Sequence, residues 1–494
     1  MKVLLEILGK MEMRRTIVNN MLWRFAERAG AQTIEFIVTI VLARILGPTA
    51  YGNVALIKAF LSILLVFVEG GLGNALIQKK DADDVDFSSV FYFNLVFCVV
   101  IYVVLYFLAP YIANFYGDPT MSAMFRVACV IILVSSVKNI QQAQIARNLE
   151  FRKFFYATLS GTSISAVVGI VLAIKGFGAW SLIAQILVNA LIDTVVVWIT
   201  VGWFPHKVFS FKRLTELLPY GWKLLASNLM VELYGNIRQI AIGKIYSASD
   251  LAFYNRGRSI PNVIVRNINV SIDSVLFPVM SSRQDDKREV KRITRKAIMS
   301  SNYLMAPLMM GMASMADSIV VILLTEKWLQ CILYFRIFCI IFMFQPIHTA
   351  NINAIKAMGR SDIFFKVEVI KKIVGFVILA VSLNYGMKVV IYCYFVNTVL
   401  DQIINSWPNR RLLGYTYLEQ MKDIFPSTIL AVIMGACVYG ISFLCLNVWV
   451  TMLLQVLLGF SIYLLGSVIF ELEAYQQLLD LAESYFKKEG GLKR

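Results

Sequence analysis

Apolar runs close to the length of a bilayer-spanning helix recur from one end of this 494-residue chain to the other, and no other feature restricts the fold so tightly. A helix needs about 20 apolar residues to cross the hydrocarbon core, where each backbone amide and carbonyl must be satisfied within the protein. Fourteen runs meet that length, at 21–46, 51–77, 88–109, 120–146, 154–174, 179–201, 220–245, 259–281, 297–324, 330–355, 364–384, 387–407, 425–446 and 449–470. The expected class is an all-α polytopic membrane protein with about 14 transmembrane helices. A hydrophobic fraction of 59% and a mean hydropathy of +0.69 exclude an ordinary soluble domain. The net charge of +16 comes from Lys and Arg spread between the apolar runs, so no nucleic-acid partner is expected.

Loop cations set the orientation. Arg14 and Arg15, Lys79 and Lys80, Arg152 and Lys153, Lys212 and Arg213, the run Arg283 to Lys296, Lys356 and Arg360, Arg410 and Arg411, and Lys487 to Arg494 all fall on one side. By the positive-inside rule that side is the cytoplasm, and both termini lie there. The chain divides into a cytoplasmic segment at 1–20, a first lobe at 21–201, a cytoplasmic linker at 202–219, a second lobe at 220–407, two further helices with their preceding loop at 408–470, and a tail at 471–494. Both end segments are expected to be amphipathic helices on the membrane surface. No cleavable signal is evident, since the first span itself directs insertion.

An internal repeat underlies the division into six, six and two helices. Ile45 to Ala59 (ILGPTAYGNVALIKA) matches a similar turn in Ala248 to Ile260 (ASDLAFYNRGRSI), and Gln144 to Phe155 (QIARNLEFRKFF) echoes Ala354 to Phe365 (AIKAMGRSDIFF). Two pseudo-symmetric six-helix lobes around a central cavity are a common transporter plan.

Polar stripes mark where such a cavity is lined. Within Asn255 to Met280, Ser259 and Pro261 predict a helix start, because serine caps free amides and proline suits the first turn. Asn262, Arg266, Asn269 and Asp273 then fall on one face of an otherwise apolar helix. Arg266 lies roughly 10 Å from one helix end and roughly 20 Å from the other, too deep for easy snorkelling both ways. A guanidinium there costs about 3 kcal/mol on insertion scales and calls for water or a partner. Arg24, Glu27, Arg28, Gln32, Glu35 and Thr39 share a sector of the first span, Lys58, Ser62 and Glu69 a face of the second, and Asn228, Glu232, Asn236 and Gln239 a face of the seventh.

Structural roles stand beside the functional ones. Arg24 and Arg28 also suit positive-inside anchors, and Arg126, Arg336, Lys223, Lys371 and Lys372 lie near span ends where anchoring is the expectation. Arg266 and Lys58 also suit ion pairs with Asp273 or Glu69. Lys138 with Gln142, and Gln345 with His348, either extend the cavity wall or join helices. His206 and His348 are far apart, and the seven cysteines, Cys98, Cys129, Cys331, Cys339, Cys393, Cys437 and Cys445, contain no CxxC pair. They read as small core residues, with no metal or catalytic site.

Leu42 to Gly52 (LARILGPTAYG), Glu69 to Gln78 (EGGLGNALIQ), Gln144 to Phe151 (QIARNLEF) and Gly176 to Trp180 (GFGAW) resemble the PST-type polysaccharide flippases, the Wzx-like branch of the MOP superfamily. That resemblance implies two six-helix lobes around a cationic cavity in the bacterial cytoplasmic (inner) membrane. It implies translocation of undecaprenyl-pyrophosphate-linked oligosaccharide to the outer face, for O-antigen, capsule or exopolysaccharide synthesis, with helices 13 and 14 forming a groove for the lipid tail. In that setting Arg24, Arg28, Lys58 and Arg266 receive the pyrophosphate, because guanidinium and ammonium donors suit phosphate oxygens. Asn262, Asn269 and Gln32 face sugars, while Glu35, Glu69, Glu232 and Asp273 balance the cations or one of them carries a coupling H+ or Na+. No other cofactor is expected, and the partners are membrane lipids, a polysaccharide polymerase and export machinery. Two other functions fit less well. An ion-coupled multidrug exporter of the same superfamily would favour a net acidic cavity, and a membrane glycosyltransferase, polymerase or ligase would need a sizeable extramembrane loop or a catalytic constellation.

Overall fold

The computed structural model describes residues 2–69, 71–444 and 446–480, with side chains from residue 19 onward except at 21. Every regular element among them is helical: α1 (Lys2–Ile45), α2 (Pro48–Glu69), α3 (Leu72–Gln78), α4 (Asp84–Tyr116), α5 (Thr120–Ala128), α6 (Val130–Arg147), α7 (Phe151–Ile174), α8 (Ala179–Val201) and α9 (Phe211–Ile245). There follow α10 (Ala248–Ser281), α11 (Lys287–Ser314), α12 (Ala316–Leu324), α13 (Ile332–Met343), α14 (Gln345–Ala357), α15 (Ser361–Ser382), α16 (Met387–Leu412), α17 (Tyr417–Gly440) and α18 (Val448–Ile469). Ten helical stretches are long and apolar enough to cross a membrane, or eleven when α11 and α12, bent by 70° at their break, count as one span. By apolarity the expected fourteen spans therefore stand at ten or eleven among the described residues. The other three fall on α1, α9 and α15, whose apolarity is diluted by the stripes of α1 and α9 and by Lys366, Glu368, Lys371 and Lys372 of α15.

Helix α1 is continuous, so the segment expected at 1–20 and the first span form one rod. The amphipathic character expected of its first turns, most of the tail at 471–494, and Cys445 lie outside the described residues. Cys98, Cys129, Cys331 and Cys339 are buried as core residues, whereas Cys437 is exposed.

One expected boundary is wrong. Helix α10 does not begin at Ser259; it runs unbroken from Ala248 through Pro261 and Pro278. Its start is fixed at Ser247 and Asp250, where the Asp250 amide donates to Ser247 Oγ at 3.0 Å and the Ser247 amide donates to Asp250 Oδ2 at 3.2 Å. This reciprocal cap satisfies two free amides at once, while the Ser259 hydroxyl donates inside the helix to the Arg256 carbonyl. The internal repeat survives the correction. The chain breaks between α1 and α2 and again between α9 and α10 at matching places, and likewise between α6 and α7 and between α14 and α15.

The chain packs as two compact units, Met1–Ala252 and Phe253–Arg494. In the first, α7 lies against α8 and α1, and α9 lies against α2, α3 and α4. Leu72, Leu76, Phe87, Val90, Phe91, Ile140, Leu214 and Leu217 form a buried cluster there. Backbones meet closely at two glycines. A Cβ on Gly71, which has φ +70°, would lie 2.2 Å from the Gly221 carbonyl oxygen, and one on Gly52 would lie 1.8 Å from that of Ala248. Only glycine fits both places.

Charges tie the linker and α9 to the start of α4. Asp86, fully buried, accepts Lys79 Nζ at 2.9 Å and faces Arg213 at 3.6 Å, while Arg213 also reaches Asp83 at 3.3 Å. The Asp86 amide donates to Asp83 and holds its carboxyl below the usual carboxylate range. The Trp203 indole donates to Asp84 at 3.0 Å, and the amides of His206 and Ser210 donate to Ser88 and Ser89.

In the second unit α11 packs against α13, α14 and α17. Fully buried amides join its helices, with ion pairs nearer the surface. Asn351 donates to Gln420 at 2.7 Å and accepts from it at 3.0 Å, and Asn409 donates to Asn351 at 2.7 Å. At one end, Arg295 bridges Asp423 and Glu473, each at 3.0 Å.

Candidate functional site

The stripe on α1 divides into two parts. Glu27 is buried and turned toward α7, where it accepts the Thr158 hydroxyl at 3.0 Å and Arg24 at 2.8 Å. Arg24 also stacks over Phe154 with its guanidinium carbon 4.2 Å from the ring centre. Arg28 and Glu35 are exposed, with Gln32 half-buried between them, and Arg28 makes no hydrogen bond or ion pair among the described residues. Periodicity placed these residues in one sector, but packing assigns Arg24 to the α1–α7 seam.

Lys58 is exposed on α2, and Glu69 is exposed at the end of the same helix. The charges acting on Glu69 are those of Lys138 and Glu232. Glu232 begins a ladder along α9, since Asn236 donates to its carboxylate at 3.0 Å and Gln239 donates to Asn236 at 3.4 Å. Glu69 thus lies within the electrostatic reach of both Lys138 and Glu232, a stripe residue far away in sequence. Lys138 in turn holds Asp193 of α8 at 2.6 Å. Asp193 was missed by the stripe analysis, although a single acid inside the apolar run 179–201 is itself a signal of function or pairing.

On α10, Arg266 and Asp273 are exposed and Asn262 and Asn269 half-buried. Asp273 accepts Asn353 at 2.7 Å, and the ion pair of Arg266 with Asp273 does not form. Asn269 keeps a buried carbonyl oxygen without a hydrogen-bond partner among the described residues. His348 meets Asn405 within the buried amides of the second unit, so it joins helices there. Arg126 donates to the Tyr106 carbonyl at 3.0 Å and stacks on its ring, as an anchor does. Arg24, Arg28, Lys58, Glu69 and Glu232 belong to the first unit, and Asn262, Arg266, Asn269 and Asp273 to the second.

A repeated all-helical plan, with charged residues set into long apolar helices, defines a polytopic membrane protein. The fold is shared with the solved lipid II flippase MurJ in its inward closed conformation, at a TM-score of 0.74 and 16% identity, over 93% of this chain and 100% of that one. A family model described as polysaccharide biosynthesis protein matches residues 41–333, and the chain belongs to that family. Among curated relatives, the succinoglycan biosynthesis transport protein ExoT of Rhizobium meliloti is 26% identical, over 64% of this chain and 64% of its own length, just under two thirds. The lipopolysaccharide biosynthesis protein WzxC of Escherichia coli is 20% identical over 84% of this chain and 85% of its own.

Proposed function

We propose that this chain flips an undecaprenyl-pyrophosphate-linked oligosaccharide unit across the bacterial inner membrane for the synthesis of a surface polysaccharide. Family membership and the MurJ-like fold support the class of process. One observation carries the chemistry. Arg266 stands exposed midway along a helix apolar enough to cross a membrane, with no carboxylate partner among the described residues. A guanidinium so placed offers paired donors to phosphate oxygens. Arg28 is exposed in the same way on α1, and Lys58 adds a further cation from α2. Arg24, committed to Glu27 and Phe154, positions α1 and contributes charge at longer range. Asn262, Asn269 and Gln32 then meet sugar hydroxyls.

Rocking of the two lobes alternates access, and one acid of the cavity carries H+ or Na+. The lipid tail runs along α17 and α18, whose outer faces expose Phe425, Trp449, Leu453 and Phe460. Both termini are cytoplasmic in this scheme, and a polymerase and export machinery take up the product. No covalent chemistry is required, so no catalytic residue is assigned.

The test is Arg266→Ala beside Arg266→Lys in cells whose own flippase is deleted, with lipid-linked oligosaccharide on the cytoplasmic leaflet and protein abundance measured together. The alanine variant should abolish flipping and the lysine variant restore part of it, because lysine keeps the charge and loses the planar fork. Normal surface glycan from an abundant alanine variant would refute the phosphate role, and lost resistance to cationic drugs with intact glycan would favour an exporter.

A further inference from the structure

Within the first unit a single ammonium pairs with one carboxylate and lies within the electrostatic reach of a second. Lys138 of α6 lies 2.6 Å from Asp193 of α8, with side chains 16% and 15% exposed. The next residue, Asn139, donates to the Val68 carbonyl at 2.7 Å, which holds α6 in register with the end of α2 and sets Lys138 beside Glu69. From α9, Glu232 faces the same carboxylate. Its own oxygen is already taken by Asn236. The charged groups around Glu69 from the packed helices are therefore Lys138, Asp193 through it, and Glu232.

One cation cannot pair fully with both Asp193 and Glu69, and the like charge of Glu232 beside Glu69 favours protonation of one of the two. Asp193 has a short side chain on a helix packed closely against α7 at Gly161, where a Cβ would lie 3.3 Å from the Asp193 Cβ. The lysine has four flexible carbons between backbone and charge, so the mobile member is Lys138.

We propose that Lys138 exchanges between Asp193 and Glu69, and that the exchange carries the coupling proton of the flipping reaction proposed above, on which this inference rests. With Lys138 on Asp193, Glu69 binds one proton from water and α6 is tied to α8. When Glu69 releases that proton to water, its carboxylate takes Lys138 and α6 is tied to α2. Lys138 stays charged throughout, so one proton is bound and one released per exchange. Lys138 and Asp193 are positioning residues, and Glu69 is the proton carrier.

The test is infrared difference spectroscopy of the full-length protein in phospholipid nanodiscs as the buffer is stepped from acid to alkaline. The wild type should lose one protonated-carboxyl band, Glu69→Gln should lack that band throughout, and Glu232→Gln should keep it. Lys138→Met should shift the titration out of the wild-type range, and Lys138→Arg should bring it back. A wild type without a titrating band, or a band that persists in Glu69→Gln, overturns the proposal. Since Lys138→Met leaves Asp193 without a partner, the double variant Lys138→Met, Asp193→Asn is assayed in the flippase-deleted cells. It should remain abundant and flip about tenfold more slowly; flipping at the wild-type rate overturns the exchange. The band is read without substrate, so its failure counts against the exchange alone. A normal band in a protein that flips nothing counts against the transport function and leaves the exchange standing.

Discussion

The two units bury polar groups in different ways. In the first, ion pairs are prominent: Lys138 with Asp193, and Lys79 and Arg213 with Asp86, join separate elements, while Arg24 pairs with Glu27 within α1. In the second, amides are prominent, with Asn351, Asn405, Asn409 and Gln420 all fully buried. Lys371 pairs with Glu368 within α15, and Arg295 with Asp423 and Arg336 with Asp317 are partly exposed pairs between helices. An amide network has no proton to gain or lose near neutral pH, so its contacts are the same in every protonation state. An ion pair can be dissolved by one proton or by a competing carboxylate. Contacts that one proton can dissolve therefore weigh more heavily in the packing of the first unit, and fully buried amides weigh more in the second.

Breaking the ionic side should have the larger effect. Lys138→Met leaves the largely buried Asp193 carboxylate uncompensated and should cost about 3 kcal/mol, read as lost membrane abundance and a lower melting temperature. Adding Asp193→Asn should recover most of that loss, because the isolated charge goes with it. A single variant as stable as the wild type would show that the pair is not a structural contributor.

On the amide side, Asn351→Leu strands Gln420 and Asn409 and should cost about 1–3 kcal/mol, with no change in the pH dependence of transport. A pH-shifted transport profile in that variant would erase the contrast between the units. Smallest of all is Arg360→Ala. The Arg360 guanidinium holds the Asp362 carboxyl at about 2, so any stabilisation is present above the ordinary carboxylate range and lost only as pH falls through that value. Both side chains are exposed and screened, and thermal unfolding at neutral pH should not change.

Much of this architecture was legible because span length is a local property. The fourteen runs became helices, and the repeated corners at Ile45 and Ile245 were visible as a shared turn. The start of α10 was misplaced because Ser259 with Pro261 is a good local signal, while the competing cap at Ser247 and Asp250 lies outside the apolar run that drew attention. The partners were mostly illegible. Which acid meets Lys138 depends on how α6 and α8 are rotated against each other, and spacing along either helix does not record that rotation. Arg24 with Glu27 was available as a three-residue step, but only the position of α7 shows which way the pair faces.

The glycine seam of the first unit has a mechanical meaning. At Gly52 the α2 backbone runs against the carbonyl of Ala248, and at Gly243 a Cβ would fall 2.1 Å from the Leu56 side chain. Helices that meet over knobs and holes must unlock rotamers one by one in order to turn. At Gly243 the Leu56 side chain fills the notch the glycine leaves, and at Gly52 the Ala248 carbonyl does the same. The seam is a latch on the position of α2, and an added methyl group at Gly52 would wedge it open.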